Sequence, residues 1–182
     1  MTVEFHETGI AGCHLVVPTV HADDRGALVK TYLESAFADR GLPTHFPEQF
    51  YSRSHRGVVR GLHVQLPPAA QDKLVCCVAG EVFDVVVDLR AGSPTYGRHV
   101  TVSLTAENWQ MLYIPVGLAH GFAAVSEQAT MAYLATAEYA PGTDGGIRWD
   151  SAGIDWPVDA PVLSRRDAEL PPLAEYRTPF TA

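Results

Sequence analysis

Apolar and polar residues alternate strictly in Val100-Thr101-Val102-Ser103-Leu104. This period of two is typical of an antiparallel strand with one face buried and the other in water. Further short β-like runs occur on both sides of it, separated by turn signals such as Ala91-Gly92-Ser93-Pro94 and Pro115-Val116-Gly117. They lie at residues 15–17, 73–78, 82–89, 111–114, 122–125 and 131–137. Many short strands at this spacing predict an all-β sandwich or barrel.

Two segments depart from the strand pattern. The run from Glu34 to Arg40, stopped by Gly41 and Pro43, predicts a short helix. From about Ala140 onward the chain is rich in Gly, Pro and Asp, which predicts a wrapped tail of loops and turns. With 182 residues, of which 47% are hydrophobic, the chain is long enough for one substantial core and short for two. We therefore expect a single domain over residues 1–182.

The charge balance limits the class of partner. Thirteen Lys and Arg against 21 Asp and Glu give a formal net charge of -8, which argues against a general nucleic-acid binder but allows a local basic pocket. No apolar run approaches the roughly 18 residues of a transmembrane helix. The start of the chain lacks the basic-then-apolar order of a signal peptide. We expect a cytoplasmic protein that binds neither nucleic acid nor membrane.

The three cysteines form neither a disulfide framework nor a zinc pattern. Cys76 and Cys77 are adjacent on a predicted strand and therefore point to opposite faces, while Cys13 is distant in sequence. We expect all three to be buried thiols.

Three side chains with charge or titration chemistry fall close together in strand-like sequence. Arg60 and His63 lie in Arg60-Gly61-Leu62-His63-Val64-Gln65, and Lys73 follows in Gln71-Asp72-Lys73-Leu74-Val75. Arg can bind phosphate through two parallel hydrogen bonds, His titrates near neutral pH, and Lys can stabilise a developing oxyanion. The cluster suits an anionic substrate that must lose a proton. On spacing alone, a solvated strand edge with three cations is an equal alternative.

Eight strings along the chain resemble the dTDP-4-dehydrorhamnose 3,5-epimerase family, in the same order and with matching intervals. They are Asp24-Arg25-Gly26, Arg60-Gly61-Leu62-His63-Val64-Gln65, Lys73-Leu74-Val75, Asp84-Val85-Val86-Val87-Asp88-Leu89-Arg90, Ser93-Pro94-Thr95-Tyr96-Gly97, Ile114-Pro115-Val116-Gly117-Leu118-Ala119-His120-Gly121-Phe122, Gly146-Ile147-Arg148-Trp149 and Leu163-Ser164-Arg165-Arg166-Asp167. The resemblance covers nearly the whole chain. It implies a cupin-type jelly roll (a double-stranded β-helix) with short peripheral helices, a homodimer, and cofactor-free epimerisation of a nucleotide-linked 4-keto-6-deoxyhexose.

The resemblance also assigns roles to residues. Epimerisation next to a ketone needs a base to remove a proton, a donor to hold the enolate oxygen, and an acid on the opposite face. His63 matches the base, Asp167 the carboxylate that fixes its tautomer, Lys73 the enolate stabiliser and Tyr133 the acid. Arg60 and Arg25 suit the diphosphate, and Tyr139 can stack on the nucleobase. The residues assigned to substrate binding are Arg25, Lys30, Glu48, Phe50, Arg60, His120 and Tyr139.

Several of these residues have a purely structural alternative. Asp167 stands three positions after Ser164 and could simply complete a capping box at a short helix. Tyr133 could be a core aromatic with its hydroxyl satisfied, although its place in a period-two strand points it inward in either case. Lys73 on its own could be a surface lysine.

His120 raises the question of a metal. The segment from Pro115 to His120 resembles the second metal motif of metal-binding cupins. His63, however, is followed by Val64 and Gln65, so the His-x-His pair of the first metal motif is missing. We expect His120 to support the site structurally or orient a ligand, and we expect no metal.

At the nucleotide end the sequence departs from the family. Lys30 stands where the family commonly has Glu, and Glu48-Gln49-Phe50 stands where it commonly has Gln-x-Asn. A carboxylate can accept from the N3 proton of thymine, whereas cytosine offers an N3 acceptor to which an ammonium could donate. The sequence therefore leaves dTDP and CDP open as the nucleotide. It also leaves open whether C3, C5 or both are inverted.

Three other functions remain compatible with the sequence. They are a metal-dependent cupin enzyme, a 3,4-ketoisomerase, and a non-catalytic jelly roll that binds a nucleotide sugar. The missing second His of the metal motif argues against a metal-dependent cupin enzyme. A 3,4-ketoisomerase does not call for the arrangement of His63 and Asp167. The third would bind ligand without exchanging protons.

Overall fold

Strands dominate the computed structural model, which describes residues 2–182. The strands are β1 (Val3–Glu7), β2 (His14–Pro18), β3 (Val20–Asp23), β4 (Gly26–Val29), β5 (Glu48–His55), β6 (Val59–Gln65), β7 (Lys73–Ala79), β8 (Glu81–Asp88), β9 (His99–Thr105), β10 (Met111–Ile114), β11 (Leu118–Ala124), β12 (Gln128–Ala135) and β13 (Asp144–Gly146). The helices are α1 (Glu34–Ala38) and α2 (Arg165–Glu169), with single 3-10 turns at Pro141–Thr143 and Leu173–Glu175.

Antiparallel pairing forms two main sheets and one separate hairpin. The six-stranded sheet has the order β1-β2-β10-β7-β12-β5, the five-stranded sheet has the order β13-β6-β11-β8-β9, and β3 pairs with β4 alone. Val75 and Met131 of the first sheet pack with Val86 and Phe122 of the second in one buried cluster. The main core therefore lies between two facing sheets, and the predicted all-β sandwich is confirmed.

The burial pattern of each strand follows from how many of its faces are covered. In β9, Leu104 is buried while Thr101 and Ser103 are exposed, as one-sided burial requires. In β8, Val85 to Val87 are consecutive and fully buried. The tail explains this difference, because Phe180 and other C-terminal residues pack against the outer face of the five-stranded sheet. The segment from about residue 140 is thus a covering layer for this sheet.

The structure differs from the sequence-based elements mainly at exposed edges. The sequence does not predict β1, β5, β13 or the hairpin of β3 and β4, because exposed strands carry few apolar residues. β11 begins four residues earlier than predicted, at Leu118, and α1 ends two residues earlier, at Ala38. Cys13 and Cys77 are buried as expected, but Cys76 is only half-buried, because it points to the outer face of the six-stranded sheet. No helix within residues 2–182 is long and apolar enough to cross a membrane.

Candidate active site

The predicted site residues converge between the two sheets. His63 on β6 is the Cα partner of His120 on β11 in the five-stranded sheet. Tyr133 on β12 and Lys73 on β7 belong to the opposing six-stranded sheet. One cavity, called here the inner cavity, lies between them. The residues that line this cavity and were predicted from the sequence as site residues are Phe50, Arg60, His63, Lys73, His120 and Tyr133.

A carboxylate orients His63. The Nε2 atom of His63 lies 2.7 Å from Oδ1 of Asp167, whose side chain is 5% exposed. Oδ2 of the same carboxylate accepts from the backbone N–H of Gly61 at 3.2 Å. Burial alone would raise the pKa of Asp167, but the hydrogen bond and charge of His63 and the Gly61 N–H outweigh it, so the net shift is downward. An ionised Asp167 places the ring proton on Nε2 and leaves Nδ1 of His63 as the basic atom.

Asp167 serves the helix and the site with different atoms. Its backbone N–H donates to the hydroxyl of Ser164 at 3.0 Å, which caps α2. Its carboxylate contacts His63 and Gly61, and a hydrogen bond from the Ser164 side chain also helps to lower the pKa of Asp167. The capping alternative is therefore correct for the backbone of this residue, while its side chain is available for the role implied by the family.

Lys73 lies at the start of β7, where the inner cavity meets a second one. Burial lowers its pKa to about 8, an effect that Asp144 opposes and Arg166 reinforces. A half-buried ammonium that lines both cavities is not a solvated surface lysine. At neutral pH most of this group is protonated, and it can stabilise a negative oxygen.

Tyr133 points inward, as its strand position predicts. It is 6% exposed, and its hydroxyl lies 3.1 Å from Oγ of Ser52. Burial raises the pKa of Tyr133, while the Ser52 hydrogen bond opposes the rise only in part. The phenol therefore stays neutral and can donate a proton. Its ring stacks against Phe50 on the neighbouring strand.

His120 forms a second pair with a carboxylate that sequence reasoning did not assign. Its Nε2 atom lies 2.9 and 3.0 Å from the two oxygens of Asp84, which is fully buried. Burial raises the pKa of Asp84, and the charge of His120 and its hydrogen bond oppose the rise. Asp84 interrupts the apolar run from Val82 to Val87, and this is the signal that could have indicated the pair, since buried carboxylates need partners. Within residues 2–182, no three His, Cys, Asp or Glu side chains are grouped to hold a metal ion.

The second cavity, called here the outer cavity, adjoins the first and shares His63, Lys73 and Phe50 with it. Its other lining residues are Glu48, Gln65, Gln71, Tyr139, Asp144 and Arg166. Sequence reasoning identified Glu48 and Tyr139 among these. It missed Asp144, which accepts from the Tyr139 hydroxyl at 2.9 Å and pairs with Arg166 at 2.6 Å. The position of Arg166 next to Asp167 in the chain is the signal that could have indicated its place near the site.

Two predicted binding residues lie away from both cavities. Arg25 connects β3 to β4, its side chain is 90% exposed, and it pairs with Asp23. Lys30 follows β4 and is also exposed. Neither residue lines the inner or the outer cavity. Their assignment to the substrate stays a prediction.

Two glycines allow β6 and β11 to approach closely beside the histidines. A Cβ atom on Gly61 would lie 2.6 Å from Cα of Gly121, and one on Gly121 would lie 2.6 Å from the carbonyl oxygen of Arg60. Gly61 also has a φ of 123°, a backbone conformation that residues with a Cβ atom rarely adopt. The strand pairing shifts register at this point, between His120 and Phe122. Only glycine fits at either position.

Comparisons with known proteins agree on one family. A family model described as dTDP-4-dehydrorhamnose 3,5-epimerase matches residues 7–175. A relative of that name from Pseudomonas aeruginosa is 47% identical over 159 residues, which cover 85% of this chain and 87% of the relative. The dTDP-4-dehydrorhamnose 3-epimerase of Streptomyces niveus is 42% identical over 172 residues, or 93% and 83% of the two chains.

The solved structures give the same result for the fold. The structure of dTDP-6-deoxy-D-glucose-3,5-epimerase from Legionella pneumophila, in complex with dTDP-4-keto-L-rhamnose, matches with a TM-score of 0.92 and 37% identity. The match covers 97% of this chain and 95% of that one. The cupin-type jelly roll predicted from the sequence is confirmed.

Proposed function

Because the chain belongs to the dTDP-4-dehydrorhamnose 3,5-epimerase family, we propose that His63, Asp167, Lys73 and Tyr133 carry out its reaction. The enzyme is an epimerase of the isomerase class that acts in deoxysugar biosynthesis. One observation carries the residue assignment. His63 and Tyr133 project from opposite sheets into the same cavity. A sugar ring between them would have a base on one face and an acid on the other, which is the arrangement that inversion requires.

The reaction begins at Nδ1 of His63. This atom takes the proton from a carbon next to the C4 ketone, and the electrons of the broken C–H bond move into the enolate. The imidazolium that forms keeps its Nε2–H hydrogen bond to Asp167, whose lowered pKa keeps the carboxylate charged. The pair of opposite charges stabilises the state after proton transfer.

Lys73 stabilises the enolate that results. Its ammonium lines the inner cavity with His63, within reach of a C4 oxygen bound there. Partial burial strengthens the attraction between the ammonium and the oxyanion.

Tyr133 completes the inversion from the opposite face. Its neutral phenol gives a proton to the carbon and leaves a phenolate. The phenolate regains a proton from solvent as the His63 imidazolium releases its own, so no proton or electron is gained or lost overall. This step needs no redox cofactor.

The substrate we propose is a nucleotide diphosphate linked to a 4-keto-6-deoxyhexose. The relatives are named for dTDP-linked sugars, and one solved relative holds dTDP-4-keto-L-rhamnose. Arg60 at the inner cavity suits the diphosphate, and its guanidinium is oriented by Ser54 at 3.0 Å. Tyr139, 53% exposed at the outer cavity, suits stacking on the nucleobase. Buried acceptor oxygens of Glu48 and Gln71, which have no hydrogen-bond partner among the described residues, are available to ligand hydroxyl or amine groups.

A homodimer would account for two features of the surface. Tyr51, Val78 and Trp109 are 61%, 46% and 36% exposed along one apolar groove on the outer face of the six-stranded sheet. Among the described residues, the hairpin that carries Arg25 and precedes Lys30 pairs with no other strand, and nearly all of its residues are exposed. In a homodimer the hairpin could reach the partner's cavity and supply these residues there.

Subunit mixing tests this arrangement. An Arg25→Ala protein and a His63→Asn protein should each be nearly inactive, whereas a mixture refolded together should regain about a quarter of wild-type activity, because mixed dimers contain one intact site. A mixture no more active than its components would show that each site uses its own Arg25.

Proton exchange in D2O tests the proposed reaction itself. The wild type should incorporate deuterium at C3, C5 or both of dTDP- or CDP-4-keto-6-deoxyglucose, as located by NMR, and should invert the labelled carbon. His63→Asn should lower the rate by about 10²–10⁴ with less effect on binding. Near wild-type exchange in this variant would refute the assignment of the base. Substrate binding without deuterium exchange would indicate a non-catalytic protein. A ketone that moves from C4 to C3 would indicate a 3,4-ketoisomerase. About one bound metal ion per chain, found by elemental analysis, would indicate a metal-dependent cupin.

A further inference from the structure

Phe50 and Tyr133 form a parallel aromatic stack across two strands. They are Cα partners in the pairing of β5 with β12. Their ring centroids lie 4.4 Å apart, and the planes differ by 5°. This is a stacked arrangement, within the range of centroid distances at which aromatic pairs attract each other.

The phenol is also held at its other sides. Ser52 stands two positions from Phe50 on β5, faces the same way, and contacts the Tyr133 hydroxyl at 3.1 Å. On the other side of β12, Val75 is the Cα partner of Tyr133 and is fully buried. The ring is fixed by a stack on its face and by a hydrogen bond at its tip.

Core packing does not explain Phe50. Its side chain is absent from the three buried hydrophobic clusters of the described residues, and it is 37% exposed, compared with 6% for Tyr133. It lines both the inner and the outer cavity. Phe50 therefore forms the wall between the phenol and the outer cavity.

We propose that Phe50 is a positioning residue that directs the enolate toward inversion by holding Tyr133 in place and shielding its phenol from water. The inference rests on the proposed function, in which Tyr133 is the acid. It gives Phe50 a role in proton return in addition to the contact with the nucleotide predicted from the sequence.

The enolate has two fates, and their ratio reports on the phenol. His63 can return a proton to the original face, which regenerates the substrate, or Tyr133 can protonate the opposite face, which gives the inverted product. In D2O the His63 imidazolium exchanges the proton it has taken for deuterium from solvent, so the first fate produces deuterated but uninverted substrate. A poorly held phenol slows only the second fate, so the ratio of labelled substrate to inverted product rises.

The experiment measures this ratio by NMR in D2O for the wild type, Phe50→Leu and Phe50→Tyr. Phe50→Leu keeps an apolar, though smaller, side chain but loses the stack, and the ratio should rise about three- to tenfold, the factor that corresponds to one aromatic pair. Phe50→Tyr keeps the stack and should stay within about twofold of the wild type. Arg53→Ala is the matched control, because Arg53 lies on the same strand with its side chain on the opposite face, and its ratio should not change. Thermal midpoints establish that each variant is folded.

Other outcomes decide against the inference. A raised KM with an unchanged ratio in Phe50→Leu would mean that Phe50 only contacts substrate. Equal ratios and rates in all four proteins would mean that it has no role in the reaction. A wild type that neither exchanges nor inverts any 4-keto sugar would overturn the proposed function and this inference together, whereas an active wild type with unchanged ratios would overturn the inference alone.

Discussion

Replacing Asp167 by Asn separates the two roles that the structure gives this residue. The backbone N–H that caps α2 remains, so the contact with Ser164 survives the change. The carboxylate that accepts from His63 at 2.7 Å becomes an amide. An amide can present its NH2 group to Nε2, which moves the imidazole proton to Nδ1 and removes the base from the cavity.

The expected effects on stability and rate differ greatly in size. A hydrogen bond to a charged group contributes about 1.5–3 kcal/mol and a neutral one about 0.5–1.5, so the variant should lose about 1 kcal/mol of unfolding free energy. For a chain of this length that lowers the thermal midpoint by about 2–4 °C. The turnover number should fall by about 10²–10⁴, because the wrong tautomer cannot take the substrate proton.

Ser164→Ala provides the matched control. It removes the cap of α2 and keeps the contacts of the carboxylate with His63 and Gly61, which are larger causes of its lowered pKa than Ser164 is, so it should also cost about 1 kcal/mol while activity stays near the wild-type level. Thermal melts and D2O exchange rates of both variants make the comparison. If Asp167→Asn keeps activity within about tenfold of the wild type, or if Ser164→Ala loses as much activity as Asp167→Asn, Asp167 does not orient the base.

Two further predictions concern charge. The pKa of Lys73 is lowered to about 8, and only its ammonium form can stabilise the enolate, so kcat/KM should fall as pH rises through about 8. Lys73→Arg should lack this decline. A wild-type pH profile that is flat in this range would show that the charge of Lys73 is not needed. If the Lys30 ammonium donates a hydrogen bond to the nucleobase, the protein should bind CDP more tightly than dTDP by about 1–3 kcal/mol, and Lys30→Glu should reverse this preference. Calorimetric titration with CDP, dTDP, UDP and GDP measures both proteins. Equal affinity for all four nucleotides in both proteins would place Lys30 outside the nucleobase site.

The local pattern of apolar and polar residues was sufficient to predict the strands of the core. The alternation at residues 100–104 and the short apolar runs correctly predicted β9 and β10, and the period of β12 correctly directed Tyr133 inward. It was not sufficient for β5, an edge strand with mostly exposed residues. Phe50 was therefore predicted only as a nucleotide contact, and its stack on Tyr133 became visible only when β5 and β12 were paired.

The candidate site could not be assembled from spacing, because its partners are distant in sequence. His63 and Asp167 are separated by 104 residues, and His120 and Asp84 by 36. The resemblance to the family connected the first pair. No pattern in the sequence connected the second, since Asp84 is one of three acids in β8 and its partner lies on the neighbouring strand.

The contact between Gly61 and Gly121 has a consequence for how this enzyme can change over evolution. The spacing of the two histidines depends on a pair of positions that contribute no functional group and admit no side chain. Selection for a new substrate can alter the cavity walls at Phe50 or Glu48 by single substitutions. It cannot move the base relative to His120 by a substitution at Gly61 or Gly121, because a side chain at either position would clash with the backbone of the facing strand. New specificities in this scaffold should therefore arise by reshaping the space around a fixed base.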